Sequence, residues 1–454
     1  MSVDVLRRHA LDALLAVEKG RPLDGELTRL RRNLPADREP AAGEELVRGV
    51  LQWQARYDHL IDTFSSRGGS VDPVVRTVLR LALHQLLTSR GVPAYAAVHQ
   101  AGELVRAAGR PRAAGYVNAV LQSVQRHVAD AGRDHPLDAV RELFMDPDGD
   151  LAAHLAAWWS HPSWLVDRWL QRFGEADTAA LLEHANTPAP VTLHVLPGFD
   201  PAGAADALAA AGAVTRPLEG FPRALQLADR PDRATLRRLL AAVPGLLVQD
   251  AGAQAVLDWL TRDGDDVAGD GGPVVDLCAA PGGKALHLRA LVPADRLVVA
   301  MDLRPRRLRL VRENRDRLGA GLLPLLAGDG TAPPLRPASC AAVLLDGPCS
   351  GTGVGRHHPE GRWRLRPGTL IRNGARLRHL AEAAAELLAP GGRLYYATCS
   401  LEPEENEDVV AALLAGGRLA PDPDADGAWE RRWLPWRTGT DGFFAARLRR
   451  ADQD

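Results

Sequence analysis

The chain has 454 residues, 46% of them apolar and 25% charged, with a formal net charge of -2. That length exceeds one ordinary core, since domains run about 100 to 200 residues, and it predicts two or three domains. The near-neutral charge excludes a protein coated by nucleic acid, so any such contact has to come from local basic patches. Four Cys (278, 340, 349 and 399) form no C-x-x-C pair. This argues against a disulfide framework or a zinc site, predicts no metal, and fits a reducing cytoplasm.

The opening MSVDVLRRHALDALLAV interrupts its apolar residues with charge, which predicts an amphipathic helix and not a signal peptide. No 18-residue apolar run follows, so a soluble protein without a membrane partner is expected. From Val3 to about Ala129 the pattern is helical. In VDPVVRTVLRLALHQLL, Val75, Val78, Leu79, Ala82 and Leu86 take the spacing of a core-facing helix with Pro73 in its first turn. Val117, Val120, Leu121 and Val124 repeat that spacing in GYVNAVLQSVQ. Residues 130–155, with RDHP and MDPDGD, read as a linker. A helix from about Ser163, a strand in PVTLHVLPG and a helix in PAGAADALAAAG then predict a small α+β region to about residue 240.

After Asp250 strands and helices alternate: PVVDL, a helix from Lys284, LVVAMD, a helix near 305–318, LLPLLAGD, AAVLLDGP, a helix near 369–389, GRLYYATCS and a last strand in DGFFAARLR. Apolar strands between helices predict a parallel sheet covered on both faces, in the order of a Rossmann-like fold. The turn Asp276-Leu-Cys-Ala-Ala-Pro-Gly-Gly-Lys284 follows a strand and opens a helix, and its glycines let backbone pass close to a ligand. Asp302, ending the next strand, is suited to accept from both hydroxyls of a ribose, and Asp329 follows the third strand, placed for an adenine. The turn is not a phosphate-binding G-x-x-x-x-G-K-[ST] loop, which disfavours a nucleoside triphosphate. Lys19 and Lys284 are the only lysines among 55 basic residues. At the end of the turn a compact ammonium does what a planar guanidinium cannot.

Cys349 in LLDGPCSGTG and Cys399 in YYATCSLEPEEN each follow a buried strand. With VVDLCAAPGGK they resemble the RNA 5-methylcytosine methyltransferases. RLALHQLLTSRGVPAYAAVHQAGELVR and GYVNAVLQSV resemble the NusB-like domain of the bacterial small-subunit ribosomal RNA methyltransferase B (RsmB/Sun) family, where His161-Pro-Ser-Trp164 also matches a motif. The resemblance covers almost the whole chain. It implies a multidomain protein: an all-α NusB-like helical bundle over residues 1–135, a small α+β linking domain over 150–240 and an α/β Rossmann-like methyltransferase domain over 245–450.

The resemblance further implies S-adenosyl-L-methionine as cofactor, lined by Cys278, Ala279, Ala280, Pro281, Gly282, Gly283, Lys284, Asp302, Asp329 and Asp346. Carbon 5 of cytosine is too weak a nucleophile to take a methyl group until a thiolate adds to carbon 6. Family usage makes Cys399 that nucleophile and Cys349 the residue that assists release, with Asp346 on the polar edge of the base and Lys284 favouring the thiolate. Cys340, with no motif around it, reads as an inert small hydrophobe, and Cys278 as packing beside the cofactor.

Two Arg-rich runs carry the local charge: Arg304 to Arg317, net +5, and Arg356 to Arg378, net +6. The first reads equally as a solvated helix face. The second resembles the family's Arg-x-His-Pro-Asp segment, and Arg356, His357, His358 and Trp363 are its candidates for contact with small-subunit ribosomal RNA. Four departures from the family stand out: Ala285 for a hydroxyl residue, Asp346-Gly-Pro-Cys349 for Asp-Ala-Pro-Cys, Glu360 for Asp, and Leu193-His-Val-Leu196 for Leu-Arg-Val-Asn, the last lowering the charge on that strand. Three other readings stay open: a non-catalytic RNA-binding or ribosome-assembly factor, a transfer RNA methyltransferase, and a DNA cytosine methyltransferase attacking from Cys349.

Overall fold

The computed structural model describes residues 4–34, 40–65, 70–88, 93–144, 149–261, 267 and 272–451. They divide into two compact units: residues up to Thr187 with His358–Arg364, and Pro188–His357 with the chain from Leu365 onward.

The first unit is helical. Its opening helix, Val5–Glu18, starts where the Asp4 carboxylate accepts from Leu6 N–H, and it buries Ala10, Leu11, Ala13, Leu14 and Val17 at helical spacing. Pro73–Thr88 buries Leu81, Leu83 and Leu87 besides Val75, Val78, Leu79 and Ala82, with Leu86 partly covered. A helix apolar on most sides sits in the middle of a bundle. Arg80 on this helix is buried and joins two others, with Nη1 2.5 Å from Glu18 Oε1 and Nη2 2.7 Å from Asp58 Oδ2. In Ala114–Ala131 the expected Val117, Val120, Leu121 and Val124 all face the core.

The stretch expected as a linker folds onto the bundle. Pro136–Val140 and Arg141–Phe144 are helical, and Val140 and Phe144 enter the bundle core. Pro136 starts a helix here because a first-turn position needs no N–H donor. Leu151–Trp159, capped by Asp150, follows, while Met145–Asp148 lies outside the described residues. The Arg56 guanidinium lies 3.8 Å and 4.0 Å from the ring centroids of Trp53 and Trp158, so a cation between two indoles fastens this extension. Ser163–His184 is one helix in sequence but breaks at Gly174, whose φ of 79° no other residue adopts readily.

The second unit holds two sheets. The smaller contains β1 (Thr192–Val195), β2 (Thr215–Leu218), β3 (Phe221–Leu227) and β4 (Leu246–Val248) in the order β2-β3-β1-β4, all antiparallel. Helices Pro201–Ala210 and Arg233–Ala242, capped by Asp200 and Asp232, accompany it. His194 on β1 is not a weak surface contact, as its sequence position suggested. It is fully buried, stacks on His287 and has Nδ1 2.7 Å from Gln249 Oε1.

The larger sheet contains β5 (Val274–Asp276), β6 (Val298–Asp302), β7 (Leu325–Ala327), β8 (Cys340–Asp346), β9 (Leu388–Thr398), β10 (Leu419–Pro421), β11 (Glu430–Trp433) and β12 (Phe443–Arg450). Its order is β10-β12-β9-β8-β5-β6-β7, with β11 also on β12. β5 to β9 are parallel, but β12 runs antiparallel to β9, β10 and β11, so the sheet is mixed and not wholly parallel. The physical reason is the short β11 to β12 connection, which reverses the chain without the crossover a parallel strand needs. Alternate residues face opposite layers: Val274, Leu344 and Tyr395 pack on one side, Val275, Val343 and Tyr396 on the other. Among the described residues no helix is long and apolar enough to cross a membrane.

Arg80→Ala removes the cation shared by Glu18 and Asp58. It is expected to cost about 2 kcal/mol, below the range for a fully buried pair because both acids keep some solvent. Urea unfolding followed through helical signal measures it.

Candidate active site

β5 is the middle one of the five parallel strands, with β6 on one side and β8 on the other. The strand order reverses at β5, and open α/β sheets bind ligands outside the carboxyl ends of the strands at such a reversal. All the catalytic and cofactor residues expected from the sequence lie at the carboxyl ends of β5 to β9 or on the loops and helix leading from them.

The β5 turn leads into helix Gly283–Leu291, entered through Gly282 at φ 110°. A Cβ on Gly282 would lie 3.1 Å from Val311 Cα, so conformation and space both demand glycine. Lys284 projects from the first turn and donates to Asp346 Oδ2 at 2.6 Å. Burial works against its charge, but the Asp346 carboxylate outweighs that and raises Lys284 above its ordinary pKa.

Asp276 at the end of β5 is buried, and its Oδ1 accepts from Cys278 N–H at 3.3 Å. Among the described residues its Oδ2 meets no hydrogen-bond donor. Burial, with the Asp346 charge second, pushes Asp276 up to about 8. Asp302 accepts from Arg304 N–H at 2.9 Å and lies 3.4 Å from Arg307 Nη1. Asp329 is exposed and accepts from Thr331 N–H and Oγ1, bonds that hold its pKa low. Burial pushes the Cys278 thiol up to about 12, in keeping with a packing role.

The β8 and β9 loops bring Cys349 Sγ to 3.3 Å from Cys399 Sγ. The hydrogen bond with Cys399 and then burial raise Cys349 well above the usual thiol range. Thr398 Oγ1 donates to Asn406 Oδ1 at 2.5 Å, and Asn406 Nδ2 donates to Ser400 O at 2.9 Å, bracing the Cys399 turn from both sides. Leu401 N–H donates to Thr352 Oγ1 at 2.9 Å, and Gly353 N–H to Cys399 O at 3.0 Å, tying that turn to the Cys349 loop. Glu405 accepts from Ser350 and Asn373. Thr352, Asn373, Glu405 and Asn406 were not singled out from the sequence. The acids and Asn just past Cys399 were the available signal, but only the fold turns them back toward the loop of Cys349. Gly347, where the family has Ala, approaches Leu377 so closely that a Cβ would lie 2.2 Å from Leu377 Cδ2.

The segment expected to reach RNA is held internally in several places. Arg356 is nearly buried, with Nη2 2.9 Å from Asp250 Oδ2 and Nε 2.8 Å from Asp441 Oδ1. His357 Nε2 lies 2.9 Å from Asp441 Oδ2. Asp250, His357 and Asp441 have metal-ligand spacing, but the Arg356 guanidinium already supplies positive charge to both acids. Within the first unit, Trp363 Nε1 donates to Leu51 O at 3.0 Å, and Arg362 is buried with Nη1 3.1 Å from Asn186 Oδ1. His358 is exposed, and the hydrogen bond with Glu360 raises its pKa. In the first Arg-rich run, Arg306, Arg309 and Arg312 are exposed, while Arg317 donates to Leu246 O.

Gly353→Ala would drive a Cβ to 2.3 Å from Gly442 O, a backbone atom. It is expected to cost about 2 kcal/mol in urea unfolding and to speed iodoacetamide capture of Cys349 by loosening the loops. Gly115→Ala, with open space around it on a helix, is expected to raise stability by up to about 1 kcal/mol and leave the capture rate unchanged.

Three family models match the chain in order: the NusB family over residues 5–126, the RsmF/B-like methyltransferase ferredoxin-like domain over 161–232, and the 16S rRNA methyltransferase RsmB/F over 267–449. The probable ribosomal RNA small subunit methyltransferase B of Bacillus subtilis is 28% identical over 98% of both chains. The solved structure of PH0851 superposes with a TM-score of 0.74 and 24% identity, covering 99% of each chain, which shows a shared fold. Ribosomal RNA small subunit methyltransferase B of Shigella boydii is 32% identical over 95% of both chains, and with a relative this similar along nearly its whole length, the chain belongs to the ribosomal RNA small subunit methyltransferase B family.

Proposed function

We propose that this methyltransferase modifies carbon 5 of a cytidine in small-subunit ribosomal RNA through a covalent adduct to Cys399. The observation that carries the reading is the pair of thiols 3.3 Å apart beside the Lys284–Asp346 ion pair. A methyltransferase acting on a more nucleophilic atom has no use for two adjacent thiols.

The cofactor is S-adenosyl-L-methionine, which supplies an electrophilic methyl group when bound, and the residues present fit it. The turn from Cys278 to Lys284, with glycine where a Cβ would collide, offers a close backbone approach. Asp302 suits a ribose diol, and exposed Asp329 suits the adenine edge. Asp276 Oδ2, buried without a donor, suits the amino group of the methionine part.

In the proposed sequence the Cys399 sulfur adds to carbon 6 of the cytosine, which makes carbon 5 enamine-like and able to take the methyl group. The proton on carbon 5 then passes to solvent water, its bonding pair restores the carbon 5 to carbon 6 double bond, and the carbon 6 to sulfur bond breaks with its pair on the Cys399 sulfur. Cys349, within contact of Cys399, assists that release. Asp346, oriented by Lys284, holds the polar edge of the base, and the Lys284 ammonium interacts with Cys399. The helical residues 1–135 act in selecting the RNA. Exposed His358 contributes RNA contact beside His357, while Arg356 and Trp363 hold their segment in place through Asp250, Asp441 and Leu51.

Methyl transfer from labelled S-adenosylmethionine to unmodified small-subunit ribosomal RNA tests this, with denaturing gels to reveal adducts. Cys399→Ala is expected to lose at least about a thousandfold in rate and form no adduct, while Cys349→Ala stays bound to its RNA. Full activity in Cys399→Ala, or transfer only to transfer RNA or DNA, overturns the assignment, and no transfer by the wild type favours an assembly factor.

The raised pKa of Asp276 makes a second expectation. Near pH 7 the free protein carries a proton there, and a cationic amino group at Oδ2 favours the carboxylate, so cofactor binding releases that proton. Affinity therefore rises with pH toward about 8, above which loss of the ligand's amino proton opposes it. Calorimetry in buffers of different ionisation heat is expected to detect the release, and Asp276→Asn to abolish it.

A further inference from the structure

Glu405 is fully buried at the end of the short turn Pro403–Glu405. Its Oε1 accepts from Ser350 N–H and Asn373 Nδ2, both at 2.8 Å, and its Oε2 accepts from Ser350 Oγ at 2.6 Å. Ser350 Oγ is also 3.2 Å from Ser400 Oγ. Ser350 directly follows Cys349 and Ser400 directly follows Cys399. One carboxylate thus spans the residues next to both thiols, and Asn373 braces it from helix Pro367–Leu387. The three hydrogen bonds come from neutral donors, an expensive way to keep a carboxylate out of water, and burial raises the Glu405 pKa against the hydrogen bonds that lower it.

We propose that Glu405 is a positioning residue for the reaction: it ties the Cys349 loop to the Cys399 turn and keeps the Cys349 sulfur a neutral thiol beside the nucleophile. The inference rests on the two-thiol reading above and deepens it by explaining how two equivalent side chains take different parts. After the hydrogen bond to Cys399, burial and the Cys399 charge, the charge of Glu405 is the next influence raising Cys349. The other titratable groups here are Tyr396, which feels both Cys349 and Glu405, and Lys284 with Asp346, whose ammonium interacts with Cys399. Tyr396 Oη donates to the Glu405 carbonyl, so the turn is anchored by its backbone as well as its carboxylate. A glutamine at 405 fills the same space and still accepts from Ser350 N–H, but it carries no charge and one fewer acceptor.

The test compares wild type, Glu405→Gln and Ser350→Ala in two measurements. The first follows iodoacetamide alkylation of Cys349 against pH by peptide mass analysis, without RNA. Glu405→Gln is expected to shift that profile down by about one pH unit, roughly tenfold faster labelling at a fixed pH below the midpoint. The second measures kcat and KM for ribosomal RNA methylation and adducts on denaturing gels. Both variants are expected to lower kcat about tenfold with KM little changed and to accumulate the adduct that Cys349→Ala traps. If Glu405→Gln fails to fold, Ser350→Ala, which removes the hydroxyl bonds to Glu405 and Ser400 while keeping the Ser350 N–H bond and the Glu405 charge, carries the kinetic measurement. An unshifted profile in a folded Glu405→Gln, or wild-type kcat without adduct in Ser350→Ala, overturns the proposal. Failure of the wild type to methylate RNA sinks the proposed function instead, and the alkylation profile still decides whether Glu405 controls Cys349.

Discussion

β8 lies between β5 and β9 with Leu344 opposite both Asp276 and Tyr395, and Asp346 opposite Ala397. Parallel strands in that register end together, so the turn after Asp276, the loop after Asp346 and the turn after Thr398 leave from one edge of the sheet. A one-residue slip would turn every side chain on β8 to the other face and carry Asp346 away from Lys284. The apolar residues of β8, fully enclosed between two helical layers, hold that register. The chemistry at the edge therefore rests on Val343, Leu344 and Leu345 as much as on the thiols.

Three polar links build on this edge. The Lys284–Asp346 pair joins the cofactor turn to the β8 end, the Thr352 and Gly353 bonds join the two Cys loops, and the Glu405 carboxylate gathers Ser350 and Asn373. Each is mostly enclosed, so each is strong when complete and costly when one partner is lost. This is the rigidity that the proposed reaction asks of a site with two sulfurs within contact. Asp276 is the exception, a buried carboxyl with one oxygen that meets no donor among the described residues.

The middle region shows how position changes the meaning of a residue. His194 stands where a surface Arg was the family expectation, and the loss of charge looked like a weakened contact. In the fold it pairs with His287 under the cofactor helix, and burial lowers both, keeping the pair neutral. Arg356 is the converse. It read as an RNA contact, yet two largely covered acids from distant parts of the chain neutralise it and fix the end of the Cys349 loop.

Local pattern alone determined most elements: the helices around Val78 and Val120, the alternation from β5 to β9, and the glycine turn before Lys284. In each, the sequence period matches a face that must be buried, and the physics is local. The Cys349 and Cys399 motifs were legible for the same reason, since each lies within a few residues of its own strand end. What tertiary structure alone decided depends on long-range partners. The 3.3 Å meeting of the thiols spans fifty residues. The packing of 136–144 onto the bundle, the reversal of β12, the internal pairing of Arg356 and the reach of Glu405 to Ser350 likewise join segments far apart in sequence. A charged or turn-forming residue carries no mark of which distant group will meet it, so its role is settled only when the chain has closed around it.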